Sequence, residues 1–187
     1  MDKVKILAVD PSLRSTGVCF ICGDVVKSMS VATLPSDDLG TVLLEVFCSV
    51  RSWITEHSVH IGAVEGFSYG SKGNAVVDQG AVGGAVRLAF MMCGVPYVEI
   101  APASWKAVTL GNGKIKGYKK TVAGKRDFLE FVKKVFGVSF LSLDACEAFL
   151  IGKALQTAMR TPESRCTKSV RVIKDKVVMG NERFTRN

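Results

Sequence analysis

The sequence predicts an α/β domain, and three observations predict it. Short apolar runs closed by turn signals alternate with longer stretches of helical period. The first two strand candidates after the opening one are joined by Gly23-Asp24, a hairpin signal. Two of the apolar runs end on a carboxylate, Asp10 and Glu65, as strands do where a site gathers at one sheet edge. The predicted order through residue 100 is β-β-β-α-β-α-β.

Residues 3–10 read as a buried strand, with Val4, Ile6, Leu7, Ala8 and Val9 running into an Asp-Pro-Ser turn. Residues 16–21 and 25–31 form the hairpin. Leu39, Val42, Leu43, Val46, Phe47, Val50 and Ile54 recur at helical spacing, with Ser36 or Asp37 as N-cap. Residues 61–65 form a short strand ending on Glu65. Residues 74–93 form a small-residue-rich helix stopped by Gly94, and residues 96–100 another strand.

From Ala101 the texture changes. Residues 105–120 hold three Gly and five Lys with no clear period and read mostly as a loop. Phe128, Leu129, Val132, Val135 and Phe136 make an amphipathic helix closed by Gly137. Residues 143–160 make a last strong helix with Ser142 as N-cap. Residues 1–160 therefore form the domain and 161–187 a basic C-terminal extension, with a strand pair expected over 169–179 around Lys174-Asp175.

The 187 residues are 48% apolar and 22% charged, which suits one folded domain and excludes a disordered or repeat scaffold. Charge is divided unevenly. Residues 1–100 carry seven Lys/Arg against ten Asp/Glu, and residues 101–187 carry eighteen against seven. Such asymmetry fits an acidic site beside a phosphate-binding surface, and equally a soluble basic face. The run at residues 6–9 stops at Asp10, too short for a signal-peptide core, and residues 75–98 are interrupted by Asp78, Arg87 and Pro96. No membrane partner is expected. Six cysteines lie mostly in apolar runs, and Cys19-Phe-Ile-Cys22 has no second pair to complete a zinc site. They read as reduced core residues of a cytoplasmic protein.

Asp144 and Glu147 stand three apart at the start of the last helix and so share one face. Singly, these two could complement a helix dipole, Asp10 could cap a turn, and Glu65 could pair with a buried cation. Brought together, four carboxylates repel and make sense only around cations. Hard oxygen ligands suit Mg²⁺, with Mn²⁺ able to substitute. Two such ions can activate a water and stabilise a leaving 3′ oxygen in phosphodiester cleavage. Rival catalytic sets are missing: the histidines are His57 and His60, and there is no Gly-x-Ser-x-Gly or Walker-type loop.

Residues 6–17 (ILAVDPSLRSTG), 63–67 (AVEGF) and 143–149 (LDACEAF) resemble the RuvC-type Holliday-junction resolvases in order and spacing, from about residue 4 to 158. The resemblance implies a ribonuclease-H-like fold: a mixed five-stranded sheet, its first three strands antiparallel, flanked by helices. It implies a homodimer that uses two divalent ions per site, with Asp10, Glu65, Asp144 and Glu147 as ligands, and no small-molecule cofactor. Branched DNA would be cut by paired nicks that leave 5′ phosphates and 3′ hydroxyls. Two positions depart from the family: Ser12 replaces a usual Gly, and Glu147 a usual Asp. The drift, short length and basic loop resemble a phage-encoded member, acting in the cytoplasm of a bacterial host.

The resemblance also places Lys106 and one of Lys119 or Lys120 near the scissile phosphate. Lys114, Lys116, Lys119 and Lys120 sit on a Gly-rich segment that can approach a DNA backbone, and Phe67 or Tyr69 could stack at an opened junction centre. The small-residue helix over 75–92, with Gly80, Gly83 and Gly84, is the candidate dimer interface. Two alternatives stay open. One is a same-fold nuclease acting on flaps, RNA–DNA hybrids or structured RNA. The other is an actin-like or sugar-kinase-like phosphotransferase, for which the chain is short and lacks the glycine a phosphate would approach.

Overall fold

The computed structural model describes residues 3–34, 38–66, 74–111 and 121–184. A five-stranded sheet runs in the order β3-β2-β1-β4-β5. Its strands are β1 (Lys5–Asp10), β2 (Ser15–Cys22), β3 (Val25–Ala32), β4 (Ile61–Glu65) and β5 (Tyr97–Ile100). The first three pair antiparallel, and β4 and β5 add in parallel to β1. The expected mixed sheet is present, and Gly23 makes the hairpin at φ 62°, where a side chain would be strained.

Helices cover both faces, and the two-residue period of the strands sorts the core between them. Leu7, Val9, Val18, Phe20 and Val64 face α1 (Leu39–Glu56) and α2 (Asn74–Met92), burying Val42, Val46, Val50, Val82 and Val86. Ile6, Ala8, Cys19, Ile21, Ile61 and Ala63 face the other way. That side is covered by α3 (Pro102–Leu110), α4 (Val122–Phe136), α5 (Leu143–Arg160) and α6 (Lys168–Phe184). Positions 10 and 65 continue the second series, so their carboxylates lie on the α5 side of the sheet.

α5 is the central helix. Twelve of its residues are buried, and it lies across β1 and β2 with two close approaches. A Cβ on Gly152 would lie 2.7 Å from Ile21 Cδ1 and 2.9 Å from Ala8 Cβ. A Cβ on Gly17 would meet the Asp144 backbone. Ser142 caps the helix as expected, its Oγ accepting from Ala145 N–H at 3.1 Å.

Three expectations are corrected. The cap of α1 is Asp38, whose carboxylate accepts from Thr41 N–H at 3.0 Å, rather than Ser36 or Asp37. Of the loop expected over residues 105–120, residues 105–110 are helical instead, because Pro102 to Leu110 form α3, and residues 112–120 lie outside the described residues. All three glycines of that stretch follow Leu110, and Pro102 stands at the first helical turn, where its fixed φ and missing N–H cost nothing. The strand pair over 169–179 is instead part of α6. Val170, Ile173 and Val177 fall three and four apart and pack on the α5 core, a period that outweighs the local β-branched content. The Cys19–Cys22 pair lies in β2 with Cys19 fully buried and both thiols free, as core filling requires.

Candidate active site

β1 ends on Asp10, and β2 returns beside it so that Asp10 and Gly17 are register partners. The turn between them is tied down by Thr16, fully buried, whose Oγ1 donates to Ser12 O at 2.9 Å and accepts from Ser12 N–H at 3.2 Å. The first turn of α5 comes down on Gly17, where the missing side chain admits the Asp144 backbone. Ser15 Oγ donates to Asp144 Oδ2 at 2.7 Å, fixing that carboxylate from the sheet side. Ser30 and Ser142 share a hydrogen bond between their hydroxyls, tying the cap of α5 to β3.

This packing brings carboxylate oxygens of Asp10, Asp144 and Glu147 within 4.8 Å of one another. Asp10 is 7% exposed and Glu147 only 2%, so water screens their repulsion poorly. Buried carboxylates at this separation need positive charge, and an all-oxygen donor set suits a hard divalent ion. The residues present therefore fit the metal that the sequence implied. Glu147 occupies its place in the cluster despite its longer side chain.

Glu65 lies one strand over. Val64 is register partner to Val9, so the two strand-end acids follow side by side on neighbouring parallel strands, spaced about 4.8 Å apart. Its carboxylate is not within the three-acid cluster. Glu65 Oε1 instead accepts from Trp105 Nε1 at 2.8 Å. Glu65 also lines a small crevice with Pro11 and Gly66 and with Gln79, Gly83 and Arg87 of α2. There Arg87 pairs with Glu99 of β5.

Lys106 follows Trp105 on α3, and its Nζ sits 4.9 Å from the centre of the Trp105 ring. Phe67, Tyr69, Lys114, Lys116, Lys119 and Lys120 lie outside the described residues. Reading residues 105–120 as loop hid Trp105 as a site residue. The signal was available: a tryptophan one turn after an Ala-Pro helix start, directly before a candidate lysine. Ser15 left no comparable signal, since its partner is 129 positions away.

A mixed β-β-β-α-β-α-β sheet with acids at adjacent strand ends and on the crossing helix defines a ribonuclease-H-like nuclease. Comparison with known proteins narrows the class. Residues 6–127 match the model of the family described as crossover junction endodeoxyribonuclease RuvC. The chain belongs to the RuvC family. The RuvC of Bradyrhizobium diazoefficiens is 31% identical over 115 residues, which span 59% of this chain and 66% of that protein. The RuvC of Bartonella quintana is 25% identical over 157 residues, 80% of this chain and 88% of that one. Among solved structures, Thermus thermophilus RuvC in complex with a Holliday-junction substrate superposes with a TM-score of 0.68. It is 15% identical and covers 84% of this chain and 95% of that one. The family match ends before Asp144 and Glu147, so these two acids join the site through the geometry of α5.

Proposed function

We propose that this chain is a metal-dependent endonuclease that resolves four-way DNA junctions. The convergence of Asp10, Asp144 and Glu147 within 4.8 Å, on the fold of the RuvC family, is the observation that carries this reading. Asp10, Asp144 and Glu147 would hold Mg²⁺, and Glu65 would complete the set for a second ion. When bound, the two ions supply Lewis acidity toward the phosphate and lower the pKa of an attacking water. The chain's own part is to fix the carboxylates. β1 and β4 set the spacing of Asp10 and Glu65, Gly17 admits the turn that carries Asp144, and Ser15 orients Asp144. Lys106, with one of Lys119 or Lys120, would balance charge at the scissile phosphate.

Cutting two opposed strands needs two such sites, hence a two-fold dimer. The outer face of α2 supports this, since Val77, Leu88, Met91 and Met92 are all exposed there. Between them the substrate would be a branched junction, gripped by the basic half of the chain. The purified protein with Mg²⁺ is tested on labelled four-way junction, flap, linear duplex and RNA–DNA hybrid. Symmetric nicks in the junction support the reading. Preferential cutting of flaps or hybrids leaves the metal site standing and replaces the substrate.

A further inference from the structure

We propose that Trp105 is a positioning residue for this site, and that its single buried indole sets both Glu65 and Lys106. The proposal rests on Glu65 being a metal ligand. Trp105 is fully buried on α3, packed in the core shared with α5. A buried indole N–H needs an acceptor, and here the acceptor is the strand-end acid: Nε1 donates to Glu65 Oε1 at 2.8 Å. A tryptophan locked by packing cannot follow a wandering carboxylate, so the hydrogen bond restricts the rotamer of Glu65 instead. It occupies one oxygen of that carboxylate and leaves the other for a cation. The face of the same ring receives the Lys106 ammonium at 4.9 Å from its centre. A Glu on the end of β4 and a Lys on α3 are thus referred to one rigid plate, and the gap between them is set by its width.

The consequence is a site whose second acid is held ready before metal or DNA arrives. A hydrogen-bond partner behind a ligating side chain typically changes metal affinity about 10–100-fold. Trp105→Phe removes the N–H donor together with the five-membered ring, at the cost of a small cavity, and keeps an aromatic face for Lys106. Trp105→Leu removes the face as well.

The test uses the full-length protein, with Trp53→Phe as background so that Trp105 is the sole indole. Mn²⁺ is titrated without DNA, following Trp105 emission, and Mn²⁺ binding to Trp105→Phe is measured by calorimetry. We expect Mn²⁺ to change Trp105 emission, Glu65→Gln to abolish that change, and Trp105→Phe to bind Mn²⁺ about tenfold more weakly. With DNA, Trp105→Phe should need about tenfold more Mg²⁺ for half-maximal single-turnover cleavage and recover the wild-type rate at saturation. Trp105→Leu should stay slow at saturating Mg²⁺, because Lys106 has lost its seat. Melting curves confirm that each variant is folded. A folded Trp105→Phe with wild-type Mn²⁺ affinity and Mg²⁺ requirement overturns the proposal. Full cleavage by Glu65→Gln overturns instead the reading of Glu65 as a ligand.

Discussion

Gly17 and Asp144 are in backbone contact across 127 positions of chain: a Cβ at residue 17 would fall 2.0 Å from the Asp144 carbonyl oxygen and 2.3 Å from its carbonyl carbon. The register partner of Asp10 therefore has no side chain because the helix that brings Asp144 and Glu147 needs that space. Gly17→Ala should push the first turn of α5 off the sheet. Overpacking of this kind costs about 1–3 kcal/mol, and here the obstacle is backbone, which cannot rotate away. We expect a lowered urea midpoint together with a loss of cleavage larger than the lost stability explains. Wild-type activity and stability in Gly17→Ala would show that α5 is free to shift without disturbing the acids.

Asp10→Asn and Asp144→Asn should each abolish cleavage and leave junction binding intact or tighter. Losing a partner behind a metal ligand already costs about 10–100-fold, so losing the ligand's charge should cost more. The same change removes negative charge facing a phosphate, which favours binding. Gel-shift assays in Ca²⁺ and cleavage in Mg²⁺ separate the two effects. Substantial cutting by Asp10→Asn would remove Asp10 from the site.

The parts of this site legible in the sequence are those with local signatures. Asp10 and Glu65 close apolar strands, and Asp144 and Glu147 follow a Ser cap at helical spacing, so each could be read within a short window. The contacts that assemble them are long-range and have none. Ser15 reads as an ordinary strand residue, and Trp105 as an aromatic in a basic stretch, until the fold sets them against Asp144 and Glu65. The two misread elements, α3 and α6, each have a local cause. Averaging over residues 105–120 diluted a glycine-free helix, and β-branched residues in α6 masked the three-and-four spacing of Val170, Ile173 and Val177.

Stability should fall in alkali through two buried thiols. Burial pushes the Cys19 thiol well above its ordinary range, with nearby Cys146 adding to the effect. Burial, and then the negative charge of Glu147, pushes Cys146 up to about 12. In the unfolded chain both would ionise near 9.0. The folded state therefore holds these protons more tightly, and the stability they contribute is fully present below pH 9. It is lost above that, at up to about 1.4 kcal/mol per pH unit for each thiol. Urea midpoints at pH 8, 9 and 10 should fall more steeply for the wild type than for a Cys19→Ala, Cys146→Ala double variant. Equal slopes would mean that the thiols ionise alike in both states.

Salt should weaken DNA binding strongly, because the excess of cations lies after residue 100. Replacing Lys114, Lys116, Lys119 and Lys120 with Ala should reduce the slope of log affinity against log salt by about one unit for each lysine that meets a phosphate. Fluorescence anisotropy at a series of salt concentrations measures it. An unchanged slope would move the grip elsewhere, with the exposed Arg165 just before α6 and Lys168 and Arg171 in its first turn as the next surface to test.

Junction selectivity should depend on Phe67, two residues beyond the acid that ends β4. A dimer with two acidic sites can engage opposed strands of a four-way junction at once, whereas a linear duplex must bend or open to do so, at an energy cost. An aromatic beside the site can offset part of that cost by stacking on an unpaired base, worth about 1–3 kcal/mol per base. Phe67→Ala should therefore slow junction cleavage by about 5–150-fold, that energy expressed as a rate, while leaving duplex binding and thermal stability near wild type. Tyr69→Ala should do less. The comparison is made by single-turnover cleavage of a junction in a supercoiled plasmid, where paired nicking linearises the circle and single nicking only relaxes it. Loss of linear product with relaxed circle retained would show that Phe67 couples the two cuts. Equal slowing of junction and linear duplex would assign Phe67 to general DNA binding rather than to shape.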